Sequence, residues 1–242
     1  MHSHELEIEM NSVAIVQARM GSSRLPGKIM HKIGVKPVFK IVYDRIIKAN
    51  TVNDVVFATT NSRLDDQFCN QLENLQIKYM RGSEENVLSR YFKAAREFNA
   101  DLIVRVTCDD PFKDPHIIDR CVQPLLSNGY DFSSNIISKS FAEGIDVECF
   151  TYALLEKMHL HCAKPQQLEH VTPYCYENLD SLRYFSLADI DDFSEYRLTL
   201  DDPVDLKILT DLYAEFDFDY DVTYDQLKAV MKTKKYRSKL VG

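Results

Sequence analysis

Three cations and two distant carboxylates are the residues of this chain whose types and spacing can do chemistry. Arg19, Arg24 and Lys28 fall within ten positions, in a loop that follows the apolar run 13–16 and also holds Gly21, Ser22 and Ser23. Small residues let backbone N–H groups approach an anion, and the cations supply countercharge, so this loop suits a polyphosphate. It is neither a G-x-x-x-x-G-K-[ST] phosphate loop nor a G-x-G-x-x-G dinucleotide loop. Asp109 and Asp201 also follow apolar runs, in the pairs Asp109-Asp110 and Asp201-Asp202, each ahead of a proline. A carboxylate at the end of a rigid strand keeps few degrees of freedom. Two of them meeting at one sheet edge make a hard, oxygen-rich site suited to Mg²⁺. Asp-Pro after a strand is also ordinary turn and N-cap chemistry, which is the reading preferred for Asp114 and Asp205.

The elements that must position these groups alternate along the first half. Strands are expected at 13–16, 55–59, 77–80 and 102–106. Helices are expected at 37–49, around Leu64, Phe68, Leu72 and Leu75, after a Ser83 cap with Val87, Tyr91, Ala94, Ala95 and Phe98 on one stripe, and at 117–126. Such alternation implies a mostly parallel sheet covered on both faces, with loops 17–28, 59–66, 81–86 and 107–114 converging at one edge. The second half is less regular. Strands are expected at 130–133, 145–150, 184–187 and 197–200, and helices at 152–161, 166–178, 203–216 and 224–232. The organisation expected is a flexible lead-in at 1–12, then one domain over 13–242 with a peripheral substrate lobe around 130–195. The basic tail 232–237 reads as a solvated end.

Composition narrows the partners. A net charge of −8 argues against a nucleic-acid or anionic-membrane surface, and makes the basic loop stand out. No apolar run is long enough to span a bilayer. Six scattered cysteines form no C-x-x-C pair and imply free thiols in a cytoplasmic protein. Cys108, beside the acidic pair, reads as a small buried residue rather than a nucleophile.

Gln17-Ala-Arg-Met-Gly-Ser-Ser-Arg-Leu-Pro-Gly-Lys28 resembles the signature loop of the sugar cytidylyltransferases, the group of CMP-Kdo and CMP-sialate synthetases, and within it the spore-coat polysaccharide type. The likeness continues through Arg81-Gly-Ser-Glu-Glu-Asn-Val-Leu88, Ile103-Val-Arg-Val-Thr-Cys-Asp-Asp-Pro111, Glu143-Gly-Ile-Asp-Val-Glu148, Glu169-His-Val-Thr-Pro173 and Arg197-Leu-Thr-Leu-Asp201. It implies a nucleotide-diphospho-sugar transferase fold, a three-layer α/β/α sandwich. It implies transfer of CMP from CTP to a sugar, sugar acid, or sugar or polyol phosphate, with release of pyrophosphate and with Mg²⁺ as cofactor, by a homodimer serving surface polysaccharide or glycoconjugate synthesis. By this resemblance Arg19, Lys28 and Asp109 are catalytic, and Gln17, Ala18, Gly21, Ser22 and Arg24 join Arg19 and Lys28 around the nucleotide. Arg81, Ser83 and Thr107 face the base, Asp109 and Asp201 hold the metal, and Asp146, Glu148, Glu169 and His170 face the acceptor. The chain departs from the family pattern at Cys108 for a glycine, Asn86 for an aspartate and Asp202 for a threonine.

Other readings remain: a nucleotidyltransferase for another NTP or for a non-sugar phosphate or phosphonate, a nucleotide-binding protein without catalysis, and a glycosyltransferase using Asp189-Ile-Asp191 or Asp217-Phe-Asp219.

Overall fold

Central strands buried at nearly every position, and so covered on both faces, build the molecule in three layers. The computed structural model describes residues 10–241 of the 242-residue chain. The expected lead-in therefore lies largely outside the described residues, though Ser12 already belongs to the first strand and is buried. The strands are β1 (Ser12–Gln17), β2 (Lys32–Ile33), β3 (Lys36–Pro37), β4 (Asp54–Thr60), β5 (Tyr79–Gly82), β6 (Leu102–Thr107), β7 (Phe132–Ser134), β8 (Glu148–Thr151) and β9 (Tyr184–Ser186). The helices are α1 (Val38–Ile46), α2 (Asp66–Asn74), α3 (Val87–Glu97), α4 (Pro115–Asn128), α5 (Tyr152–His161), α6 (Pro165–His170), α7 (Pro173–Glu177), α8 (Pro203–Ala214), α9 (Tyr224–Met231) and α10 (Lys234–Leu240).

Seven strands form the central sheet in the order β5-β4-β1-β6-β8-β7-β9. All run parallel except β8, which is antiparallel to both β6 and β7. In β1, Ala14 and Val16 join one core with Ile41, Ile118 and Leu212, while Val13 and Ile15 join a second core with Tyr91, Ala94 and Leu155. Side chains alternate across a strand, so a strand apolar at every position must be covered on both faces. The expected mostly parallel α/β/α sandwich is the observed fold.

Several elements differ from expectation. The third strand starts at Tyr79 rather than Ile77, because the Ile77 N–H turns back to Leu72 O at the end of α2. Asn86, not Ser83, caps α3 by accepting from Ser89 N, and Ser83 Oγ accepts from Asn86 N one turn earlier. The helix expected at 166–178 is two, α6 and α7, broken at Val171 with φ 68°. Segment 197–200 is no strand of the sheet: Leu198 N donates to Glu143 O and Leu200 N to Asp109 O. Residues 234–240 form α10 with Tyr236 and Leu240 buried, in place of a solvated end.

Candidate active site

Parallel order puts the carboxyl ends of β1, β4, β5 and β6 on one edge, where open α/β sheets bind ligands. A cleft of about 790 Å³ opens there. Its walls come from the loop after β1 (Gln17, Ala18, Arg19, Gly21, Ser22, Ser23, Arg24, Lys28), from Glu84 to Arg90, from Cys108 and Asp109 after β6, from Asp201, and from α6.

The β1 loop is knotted on itself. Ser22 N and Gly27 N both donate to Met20 O, and Leu25 N to Ser22 Oγ. Gly27 sits at φ 66°, a conformation costly for a side-chain-bearing residue, and launches the short turn that starts with Lys28. Loop 59–66 buttresses this knot from behind instead of lining the cleft: Asp65 accepts from Met20 N and from the Thr60 N–H and hydroxyl.

Lys28 Nζ lies 2.5 Å from Asp109 Oδ2 and 3.0 Å from Asp201 Oδ1. Arg24 reaches the same Asp201 oxygen at 2.9 Å. Arg197 grips Asp201 Oδ2 from the other side and Asp205 Oδ1 at 2.9 Å. Asp205 in turn accepts from the backbone N–H of Asp201 and Asp202. The Leu200 N–H to Asp109 O bond ties the two carboxylate loops together. Gly144 packs directly on this segment, since a Cβ there would lie 2.9 Å from the Leu198 carbonyl carbon. Burial works against the charge on Lys28, but Asp109 and Asp201 outweigh it and hold the ammonium above its ordinary pKa. Burial also disfavours ionised Asp201, and Lys28, Arg24 and Arg197 overcome it, so that carboxyl titrates below its usual range. Arg19 is half exposed and, among the described residues, pairs only with Glu84, at 3.4 Å.

The Asp109 and Asp201 oxygens converge on the Lys28 ammonium; they are hard donors of the kind a dication takes, and a dication binding there would share them with that cation. Among the described residues no cluster of three or more His, Cys, Asp or Glu exists that would hold a metal alone, so such an ion needs ligand oxygens.

The structure brings Gln17, Ala18, Arg19, Gly21, Ser22, Arg24, Lys28, Asp109, Asp201, Glu169 and His170 to one cleft. Arg81, Ser83, Thr107, Asp146 and Glu148 are not on its wall. The Arg81 guanidinium is spent on Thr60 O, Ser62 O and Asp66, and Thr107 Oγ1 donates to Asp110. Glu148 is buried between Arg105 and the Tyr176 hydroxyl. Asp146 is pushed up to about 6 by burial, while its backbone carbonyl accepts from Lys113. Cys108 lies on the wall, but burial above all holds its thiol well above the ordinary value, which leaves it no nucleophile. Asp189 and Asp191 are paired with Lys228 and Lys232 away from the cleft.

Two residues escaped the sequence reading. Arg197 gave no local signal beyond its place in a motif. Arg90 did: it stands three residues after Val87 and four before Ala94, on the buried stripe of α3. It lines the cleft at 2% exposure, and burial pushes its guanidinium pKa down.

A basic loop, a carboxylate after β6 and a second one on the segment tied to it, at the edge of a mostly parallel sheet, define an α/β protein of the nucleotidyltransferase type. The cytidylyltransferase family matches residues 13–236, and the chain belongs to it, an enzyme family of CTP-dependent nucleotidyltransferases. A solved cytidylyltransferase from Leptospira borgpetersenii serovar Hardjo-bovis superposes with a TM-score of 0.89 at 34% identity, covering 96% of this chain and 98% of that one. The spore coat polysaccharide biosynthesis protein SpsF of Bacillus subtilis is 29% identical over 225 residues, 90% of this chain and 93% of its own length. A CMP:2-keto-3-deoxy-manno-octonic acid synthetase solved with CTP shares the fold at 18% identity, with a TM-score of 0.63, over 85% of this chain and 99% of that one.

Proposed function

We propose that this protein moves CMP from CTP to a sugar, sugar acid, or sugar or polyol phosphate and releases pyrophosphate, for surface polysaccharide or glycoconjugate synthesis. The observation that carries this reading is the meeting of Arg24, Lys28, Asp109 and Asp201 at one end of the cleft. Lys28 and Arg24 take the β- and γ-phosphates, with Arg19 alongside and the Gly21-Ser22-Ser23 backbone supplying N–H donors. An acceptor oxygen attacks the α-phosphorus in line, the bond to the bridging oxygen breaks, and pyrophosphate carries away the electron pair. Positioning and charge neutralisation do most of the work in such transfers. Asp109 and Asp201 would hold Mg²⁺, which when bound supplies Lewis acidity toward the phosphate oxygens. His170 and Glu169 line the same cleft, and we assign them to the acceptor. We place the reaction in the cytoplasm and in a homodimer by likeness to the family; among the described residues no helix is long and apolar enough to cross a membrane.

The test is pyrophosphate release with CTP, UTP, GTP and ATP over a panel of sugars, sugar acids, polyol phosphates and phosphonates, with product mass measured. A CMP-linked product formed from CTP supports the reading. Equal turnover with another NTP, or nucleotide binding without pyrophosphate release across the panel, overturns it.

A further inference from the structure

Three cationic side chains among the described residues are exposed by 2% or less: Arg45, Arg90 and Lys113. Arg45 distributes its donors over the carbonyls of Lys113, Tyr220 and Val222. Lys113 pairs with Asp110 at 2.8 Å and donates to Asp146 O. Arg90 is different. Its two hydrogen bonds both leave from Nη1, to Ser83 O at 2.6 Å and Glu84 O at 3.2 Å. Its Nε–H has no partner, and among the described residues no carboxylate lies within ion-pair distance. A buried guanidinium left this way is costly unless something else supplies the missing acceptors. Arg90 lines the cleft, so a ligand can.

The surroundings specify the ligand. The loop over 83–85 is seated on the arginine: a Cβ on Gly82 would come within 2.9 Å of Arg90 Cγ. Val87, Pro165 and Leu168 add apolar surface to the same cleft, the kind of lining that takes the face of a flat ring. Glu84 is taken up by Arg19, and Glu85 and Glu169 line the same cleft and disfavour a further anion, so a neutral acceptor suits Arg90. Lys28 and Arg24 already claim the phosphates at the other end. What remains for Arg90 is the heterocycle. On its pairing edge cytosine offers two adjacent acceptors, N3 and O2, whereas uracil offers O2 beside an N3–H donor. The planar guanidinium fork matches the first pattern and opposes the second.

We infer that Arg90 reads the nucleotide base, donating to the N3–O2 edge of cytosine and excluding uracil. This rests on the CTP reading of the same cleft. Selectivity then comes from a buried guanidinium whose unpartnered Nε–H an ill-matched base leaves unsatisfied, the kind of site that discriminates most sharply.

The experiment is calorimetric binding of CTP, UTP, 3-deaza-CTP (N3 replaced by C–H) and inorganic pyrophosphate to the full chain. It is repeated on Arg90→Met and Arg90→Lys, each checked for folding by thermal melting. The wild type is expected to bind UTP and 3-deaza-CTP about ten- to a hundredfold more weakly than CTP. Arg90→Met should lose CTP affinity by a similar factor and bring the CTP:UTP ratio near one, with pyrophosphate binding unchanged. Arg90→Lys keeps the charge but not the fork and should not restore the ratio. The inference is overturned if wild type binds 3-deaza-CTP as tightly as CTP, if a folded Arg90→Met keeps its CTP:UTP ratio, or if its pyrophosphate affinity falls along with CTP. Should the variants fail to fold, the wild-type analogue comparison decides alone. A wild type that binds no nucleotide defeats the CTP reading as well; one that binds CTP and ignores N3 defeats only the role of Arg90.

Discussion

The Lys28 ammonium lies within 3.0 Å of both Asp109 and Asp201, and its side chain is only 16% exposed. Arg19, by contrast, keeps 46% of its side chain in solvent and one loose partner. Removing either should lower turnover roughly ten- to a thousandfold if each offsets charge on departing pyrophosphate. Their effects on stability should differ. Lys28→Ala leaves two carboxylates facing one another and should lower the melting temperature, whereas Arg19→Ala removes an exposed contact worth at most about 1 kcal/mol. Steady-state kinetics beside thermal melts separate the two, and full turnover in both variants would remove the phosphate role. Asp146 sets a different kind of test. Burial raises its carboxyl from the ordinary aspartate range to about 6, so between the two the folded state binds the proton that the unfolded chain has released. Stability from this group is therefore fully present below about pH 4 and is lost as pH rises toward 6. Asp146→Asn should flatten that loss, and the melting-temperature gap between variant and wild type should open across that window. A gap independent of pH would mean that the carboxyl is not shifted.

Helix α3 shows what an element contributes to a site made mostly of loops. Asn86 caps it through Ser89 N at 2.8 Å and fixes where the segment bearing Glu84 and Glu85 enters the cleft wall. Asn86→Ala should cost about 1 kcal/mol, while Asn86→Asp, the residue the family pattern leads one to expect, should cost almost nothing because both side chains cap well. Chemical denaturation distinguishes the two, and equal loss in both would show that the cap bond is not the source. The strands and most helices were legible because apolar periodicity is local. The meeting of Lys28 with Asp109 was legible because parallel order puts the ends of β1 and β6 on one edge, whereas Asp201 arrives by a route the sequence did not show, on a non-strand segment tied to the Asp109 loop through Leu200 N–H and Asp109 O. The break between α6 and α7 was legible too, because Pro173 falls inside the expected helix 166–178, cannot donate within it and starts α7; what the sequence did not announce is that Val171, two residues earlier, takes the positive φ. Arg81 and Glu148 were misplaced for a related reason. Motif position puts a residue near a site, but the local carbonyls and carboxylates decide where its side chain points.

At the scale of the whole molecule, the carboxyl terminus supports the catalytic edge from a distance that no local pattern reveals. Helix α10 returns to the segment carrying Asp201: Arg197 N donates to Leu240 O at 2.8 Å, and Tyr196 bridges to Val241. Tyr236 anchors it, with its ring 1% exposed and its hydroxyl donating to Asp211 O at 3.0 Å. The basic residues that made this stretch look solvated are the outer face of an amphipathic turn; Lys235, for one, pairs with Glu215. Tyr236→Ala should cost about 3 kcal/mol, the usual loss for a buried aromatic ring, and Tyr236→Phe about 1 kcal/mol for the hydroxyl alone. Because α10 holds the backbone on which Arg197 and Asp201 stand, Tyr236→Ala should also lower kcat at temperatures where the protein is still folded. Tyr236→Phe, which preserves the packing, should not. Denaturant unfolding and turnover measured on the same preparations test both halves. A Tyr236→Ala protein that loses stability but keeps full turnover would confine α10 to holding the fold together, with no influence on the geometry of Asp201.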